Sequence, residues 1–167
     1  MDENSEASFS GADFSELLDR LQIMSIRLES SRNKCLMWEP PGEDEQFHPH
    51  PFFEPKRYEQ IAEQTGLVAI ADAGVHFLTN DEELAAFVEA SFFVVYGTPT
   101  RPNEELVEYF LSQHLSLHVW PYARELVQNT VSRFGWEQYI LPPHLVTQNL
   151  RPPRREMDET TAGADSD

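Results

Sequence analysis

Six histidines, one cysteine and 29 acidic side chains are the groups in this sequence with obvious chemistry. "HLSLH" places His114 and His118 four residues apart, a spacing at which two imidazoles on one helix face can share a metal ion. A zinc protease needs a glutamate directly after the first histidine, and Leu115 stands there. No third ligand accompanies the pair, so both read as packing or surface histidines and no metal is expected. "FHPHPFFEP" offers His48 and His50, with Cys35 upstream, and a proline-rich loop accounts for them without a ligand. The seven glycines are scattered, so no phosphate-cradling loop is expected. Paired carboxylates are what so acidic a chain shows to solvent. No Ser-His-Asp or Cys-His arrangement follows from spacing. The sequence predicts a protein that binds rather than catalyses, without a cofactor.

What it binds is bounded by charge. Twelve Lys+Arg against 29 Asp+Glu leave a formal charge of −17 over 167 residues. That surface repels phosphate backbones, which argues against nucleic acid. It attracts basic partners, unfolded chains with exposed lysines among them. One cysteine excludes an internal disulfide and fits a reducing compartment. "MDENSEASFSGADF" has no apolar core and does not read as a signal peptide. No apolar run approaches the ~20 residues of a membrane span. A cytoplasmic protein with no membrane insertion is expected.

The elements that position these groups follow from periodicity. Residues 1–13 read as a disordered acidic tail, 14–150 as one folded domain and 151–167 as a second disordered tail. A strand is predicted from about Leu21, after a short helical lead-in. The five prolines of "MWEPPGEDEQFHPHPFFEPKRY" restrict that stretch to an edge strand and loop. In "GLVAIADAGVHFLT", Leu67, Ala69, Ala71, Ala73, Val75 and Phe77 share one face. In "ELAAFVEASFFVVYGT", Ala86, Val88, Ala90, Phe92, Val94 and Tyr96 do the same. Asn80-Asp81 supplies the turn between these two antiparallel strands. "PNEELVEYFLSQH" reads as a short helix with acid in its first turn. A second helix is predicted to start at Pro121, where a missing N–H is no loss, and to stop at Gly135. "YILPPHLV" closes the domain. The fold class is α+β, one antiparallel sheet with helices against it. Both faces of the central strands carry apolar residues, among them Val68, Ile70, Leu78, Phe87, Phe93 and Val95. This surplus predicts self-association.

Residues 120–146, "WPYARELVQNTVSRFGWEQYILPPHLV", resemble the late helix of the SecB family of export chaperones. The match runs over Pro121, Tyr122, Ala123, Arg124 and Glu125, then Val131, Ser132 and Arg133. "LMWEP" at 36–40 is similar to the Trp-x-Pro after that family's first strand, and the strand order agrees over roughly residues 20–146. The resemblance implies a four-stranded antiparallel sheet with a short helix and a long C-terminal helix, assembled as a homotetramer, a dimer of dimers. It implies an ATP-independent holdase for unfolded or preprotein clients in protein export, with SecA as a partner. It also allows a chaperone dedicated to one antitoxin. Client-binding candidates are Trp38, Phe52, Phe53, Leu115, Leu117, Val119 and Trp120. Phe52 and Phe53 read either as an aromatic lip or as loop anchors. Pro121, Tyr122, Arg124, Glu125, Leu126 and Val131 form the structural and oligomer motif. Residues 42–63 and "SRFGWEQY" depart from the family pattern, which marks a divergent member. A small-ligand or metal-binding protein built on His114 and His118 is the remaining alternative.

Overall fold

Ser10 starts the first element of the computed structural model, which describes residues 9–37, 46–61, 66–136 and 138–143. The Ser10 hydroxyl accepts from the Asp13 N–H, and the Asp13 carboxylate accepts from the Ser10 N–H at 2.7 Å. This reciprocal cap nucleates α1 (Gly11–Arg20). Residues 11–13, read above as tail, therefore belong to the helix. Four strands follow: β1 (Gln22–Cys35), β2 (His48–Ile61), β3 (Gly66–Leu78) and β4 (Leu84–Gly97). They form one antiparallel sheet in the order β1-β4-β3-β2. The apolar faces predicted for β3 and β4 are buried throughout. The turn at Asn80-Asp81 is closed by Thr79, whose N–H donates to the Glu83 carbonyl at 2.8 Å.

β2 runs through the proline-rich stretch as a 14-residue edge strand. Pro49, Pro51 and Pro55 lie at alternate positions of one phase, paired with Phe77, Val75 and Ala71. Backbone groups of alternate residues point the same way, so the three missing donors fall together on the outer rim. The sequence predicts an edge strand over part of this stretch and loop over the rest, whereas the strand runs from His48 to Ile61. The shared phase of the prolines is why the strand is longer.

The two helices predicted around Pro121 are one, α2 (Glu104–Val131), with Pro121 inside it. Asn103 caps it by accepting from the Glu105 N–H at 2.9 Å, and Glu104 and Glu105 occupy its first turn. Its buried residues climb in steps of four: Val107, Leu111, Leu115, Val119, Ala123, Val127 and Val131. A row of that spacing is inclined by about 26° to the helix axis, so the contact stripe winds around α2 as it crosses the sheet. Pro121 lies on the opposite ridge with Tyr109, Leu117 and Glu125, all exposed. The Leu117 carbonyl that loses its partner can thus be hydrated, which is how the helix tolerates the ring. Pro121→Ala is expected to raise stability by about 1–2 kcal/mol, since an interior proline costs about 3 kcal/mol and part of that returns through the more flexible unfolded chain. The midpoint of a urea titration measures it, and an unchanged or lower midpoint would contradict the account.

α2 ends in a 3-10 turn, Ser132–Phe134, and Gly135 stops it in the left-handed conformation at φ 78°. The chain then returns along α2. The Trp120 Nε1–H donates to the Pro142 carbonyl at 2.9 Å, and the Arg124 Nε–H to that of Leu141 at 2.8 Å. Leu141 is fully buried.

Candidate functional site

α2 contacts β3, β4 and β2, and it leaves the same face of β1 uncovered. Ile23 and Leu28 there are 45% and 49% exposed. They pair with Tyr96 and Phe92 of β4, which the helix does cover. A trough of about 210 Å³ results, lined by Ile26, Leu28, Phe92, Tyr122 and Leu126, with Glu125 and Asn129 at its rim. Leu117 and Tyr122 add exposed apolar area on the helix. The walls are flexible aliphatic and aromatic side chains on two regular elements. Such a surface suits non-covalent capture of apolar chain. A second concavity, of about 370 Å³, lies between α1 and the start of α2, with Leu17, Leu106, Pro99 and Pro102 among its walls.

The candidate residues scatter relative to this trough. Leu115, Val119 and Trp120 are buried between helix and sheet, at 3% exposure or less, so they are core and not open client contacts. The resemblance implies client contacts just before Pro121, but that segment lies inside α2 and turns these three side chains into the core. Phe52 and Phe53 are neighbours in β2 and point to opposite faces, Phe52 beside His76 with ring centroids 5.2 Å apart. Phe52 is 4% exposed and Phe53 packs against the core, which makes them anchors in place of a shared lip. Trp38 lies outside the described residues. Of the motif, Tyr122 and Leu126 line the trough, Glu125 sits at its rim, Arg124 pins the returning chain, and Val131 is core. Ile26, Leu28 and Phe92 were missed. The alternation of Ile26 and Leu28 is visible in the sequence, but only the position of α2 shows that, among the described residues, Leu28 stays exposed and Ile26 half-buried at its flank.

His114 and His118 are taken up by packing. His114 stacks on Phe110 with centroids 5.1 Å apart, and its Nδ1–H donates to the Phe110 carbonyl at 3.3 Å. His118 Nδ1 and the buried Tyr96 hydroxyl share a hydrogen bond of 2.9 Å. Among the described residues no three His, Cys, Asp or Glu side chains gather as a metal would require. Burial, and then the neighbouring His114, hold the His118 pKa below its usual value. The unfolded chain therefore keeps a proton that the folded chain rejects, and stability falls as pH drops below about 6.5. Comparing urea midpoints at pH 7.5 and 5.5, His118→Gln should show a smaller acid loss than the parent; an equal loss would exclude His118 as a cause. Tyr96→Phe should lower stability by about 1 kcal/mol, since it strips the partner from a part-buried imidazole nitrogen.

A four-stranded β1-β4-β3-β2 antiparallel sheet with a short N-terminal helix and one long C-terminal helix is a SecB-like fold. Among solved structures the chain is similar to the SecB-like chaperone Rv1957 of Mycobacterium tuberculosis, determined in complex with a ChAD peptide from the antitoxin HigA1 (Rv1956). The TM-score is 0.68 at 18% identity, over 85% of this chain and 99% of the other. No family model matches the sequence, and no curated protein matches it. None of the helices among the described residues is long and apolar enough to cross a membrane.

Proposed function

We propose that this protein is an ATP-independent chaperone that holds unfolded polypeptide in the trough between β1 and α2. The observation that carries the reading is the trough itself: open apolar side chains on regular elements, in a fold shared with a solved SecB-like chaperone. Leu117, Tyr122 and Leu126 supply adaptable contacts, and Glu104, Glu105, Glu108 and Glu125 of α2 draw basic clients first. The −17 charge keeps a loaded complex in solution. The antitoxin peptide bound by the similar structure favours a dedicated partner over the broad export clientele and SecA handover that the resemblance implies.

The assembly that goes with this reading is a dimer of dimers. The outer rim of β2 lacks donors at Pro49, Pro51 and Pro55, which leaves the rim of β1 as the sheet edge able to pair. The uncovered apolar face lies against that same edge.

Pure protein at molar excess should suppress aggregation of an unrelated denatured client with no nucleotide present. Failure to do so would end the holdase reading. Pull-down from the native host then separates the partner classes, with one recurrent short-lived protein expected for a dedicated chaperone.

A further inference from the structure

The sheet face turned away from α2 carries an arrangement that the trough does not use. Cross-strand register aligns Arg27 of β1, Phe93 of β4, Ile70 of β3 and Arg57 of β2 in one row. The next row reads Ser25, Val95, Val68 and Glu59. An apolar strip is thus bracketed by two arginines, each exposed. Arg32, Lys34 and Lys56 stand on the same face, in a chain with only 12 Lys+Arg against 29 Asp+Glu. Arg32 pairs with Glu89 at 2.6 Å, and Lys56 with Glu54 at 2.9 Å and Asp72 at 3.3 Å. Arg27 and Arg57 make no ion pair among the described residues. Placing cations beside unmatched apolar residues, while acid dominates the rest of the chain, selects a partner of opposite sign.

We propose that this outer face docks an acidic segment of another protein, with its apolar side chains on the half-buried Phe93, Val95 and Val68 beside the buried Ile70, and its carboxylates on Arg27 and Arg57. Three strand spacings separate the two arginines, about 14 Å. An extended chain covers that distance in about four residues, and alternate side chains share a face, so the matching pattern is acid-x-apolar-x-acid. Charge-assisted pairs from the guanidinium forks hold the ends, and burial of the strip supplies the middle.

The test uses the full chain and a fluorescent peptide of about 12 residues (~40 Å extended) that repeats Glu-Ser-Leu-Ser. Anisotropy should report binding that weakens with salt and that drops about tenfold or more in R27E/R57E, since two attractive contacts become repulsive. Replacing Glu by Lys, or Leu by Ser, in the peptide should weaken binding likewise. R27E/R57E should suppress client aggregation within about twofold of the parent, because its changes lie across the sheet from the trough. No binding at about 1 mM peptide, or equal binding to the variant, overturns the proposal. So does a tenfold affinity gain on removing residues 151–167, which would make the chain's own tail the occupant. A changed oligomeric state in R27E/R57E would assign the face to a second copy and overturn it too. A holdase failure of the parent protein leaves the peptide result standing, so the two readings fail separately.

Discussion

Gly74→Ala is expected to destabilise the fold by about 3 kcal/mol or more. Gly74 sits in the middle of β3 opposite Glu89 of β4. A Cβ built there runs into the Val88 carbonyl oxygen and meets the Glu89 Cα at 3.0 Å. Both obstacles are backbone of the paired strand, so no rotamer change relieves the contact, and β3 and β4 must move apart locally. Those two strands carry the Ala-, Val- and Phe-lined face on which α2 rests, so the displacement spreads into the core. Overpacking in a well-packed core typically costs about 1–3 kcal/mol, and a contact with fixed backbone belongs at or beyond the upper end. Against a total stability of about 5–15 kcal/mol, that is a large fraction. Gly66→Ala is the control. Its Cβ meets the Ile61 Cδ1 at 3.3 Å and the Tyr96 carbonyl at 3.4 Å, and the nearer obstacle is the end of a side chain that can turn aside. The control should stay within about 1 kcal/mol of the parent. Urea unfolding followed by circular dichroism reads both, and a Gly74→Ala midpoint close to that of the Gly66→Ala protein would refute the steric account.

What was legible in the sequence, and what was not, divides by the range of the interaction. β3 and β4 were legible because strand periodicity is local and both faces are written into the residues themselves. Gly135 was legible as a stop for the same reason. α2 was divided at Pro121 because an interior proline costs about 3 kcal/mol, whereas the ring sits on the exposed ridge of one continuous helix whose buried row repeats every four residues. That row winds from one side of the helix to the other, so each half looks like a separate amphipathic helix. Only the sheet beneath it, a long-range partner, makes the two halves one element. β2 was half legible: its prolines forbid a central strand, but that they share a backbone phase matters only once β3 lies alongside. Leu115, Val119 and Trp120 stand among the client contacts that the resemblance implies, and only the sheet packed beneath α2 shows that they are buried. The trough was the least legible feature, since it is defined by what α2 fails to cover.

Leu28→Asp combined with Tyr122→Asp is expected to turn an assembled protein into folded monomers. Both side chains are about half exposed within one copy, at 49% and 46%, so carboxylates there meet water and the isolated fold should lose little. In the proposed assembly the same two positions face a second copy across the β1 edge. A carboxylate buried there without a cation loses its hydration and finds no replacement, a penalty of several kcal/mol per charge. Symmetry repeats each substitution on the partner copy, which doubles the effect and places like charges near one another. Dissociation should strengthen by a factor of at least about 100, since each 1.4 kcal/mol is tenfold. Light scattering should report a tetramer, or at least a dimer, for the parent and a monomer for the variant, with similar circular dichroism for both. A parent that is monomeric at tens of micromolar would remove the assembly outright. A variant that stays assembled would move the interface elsewhere.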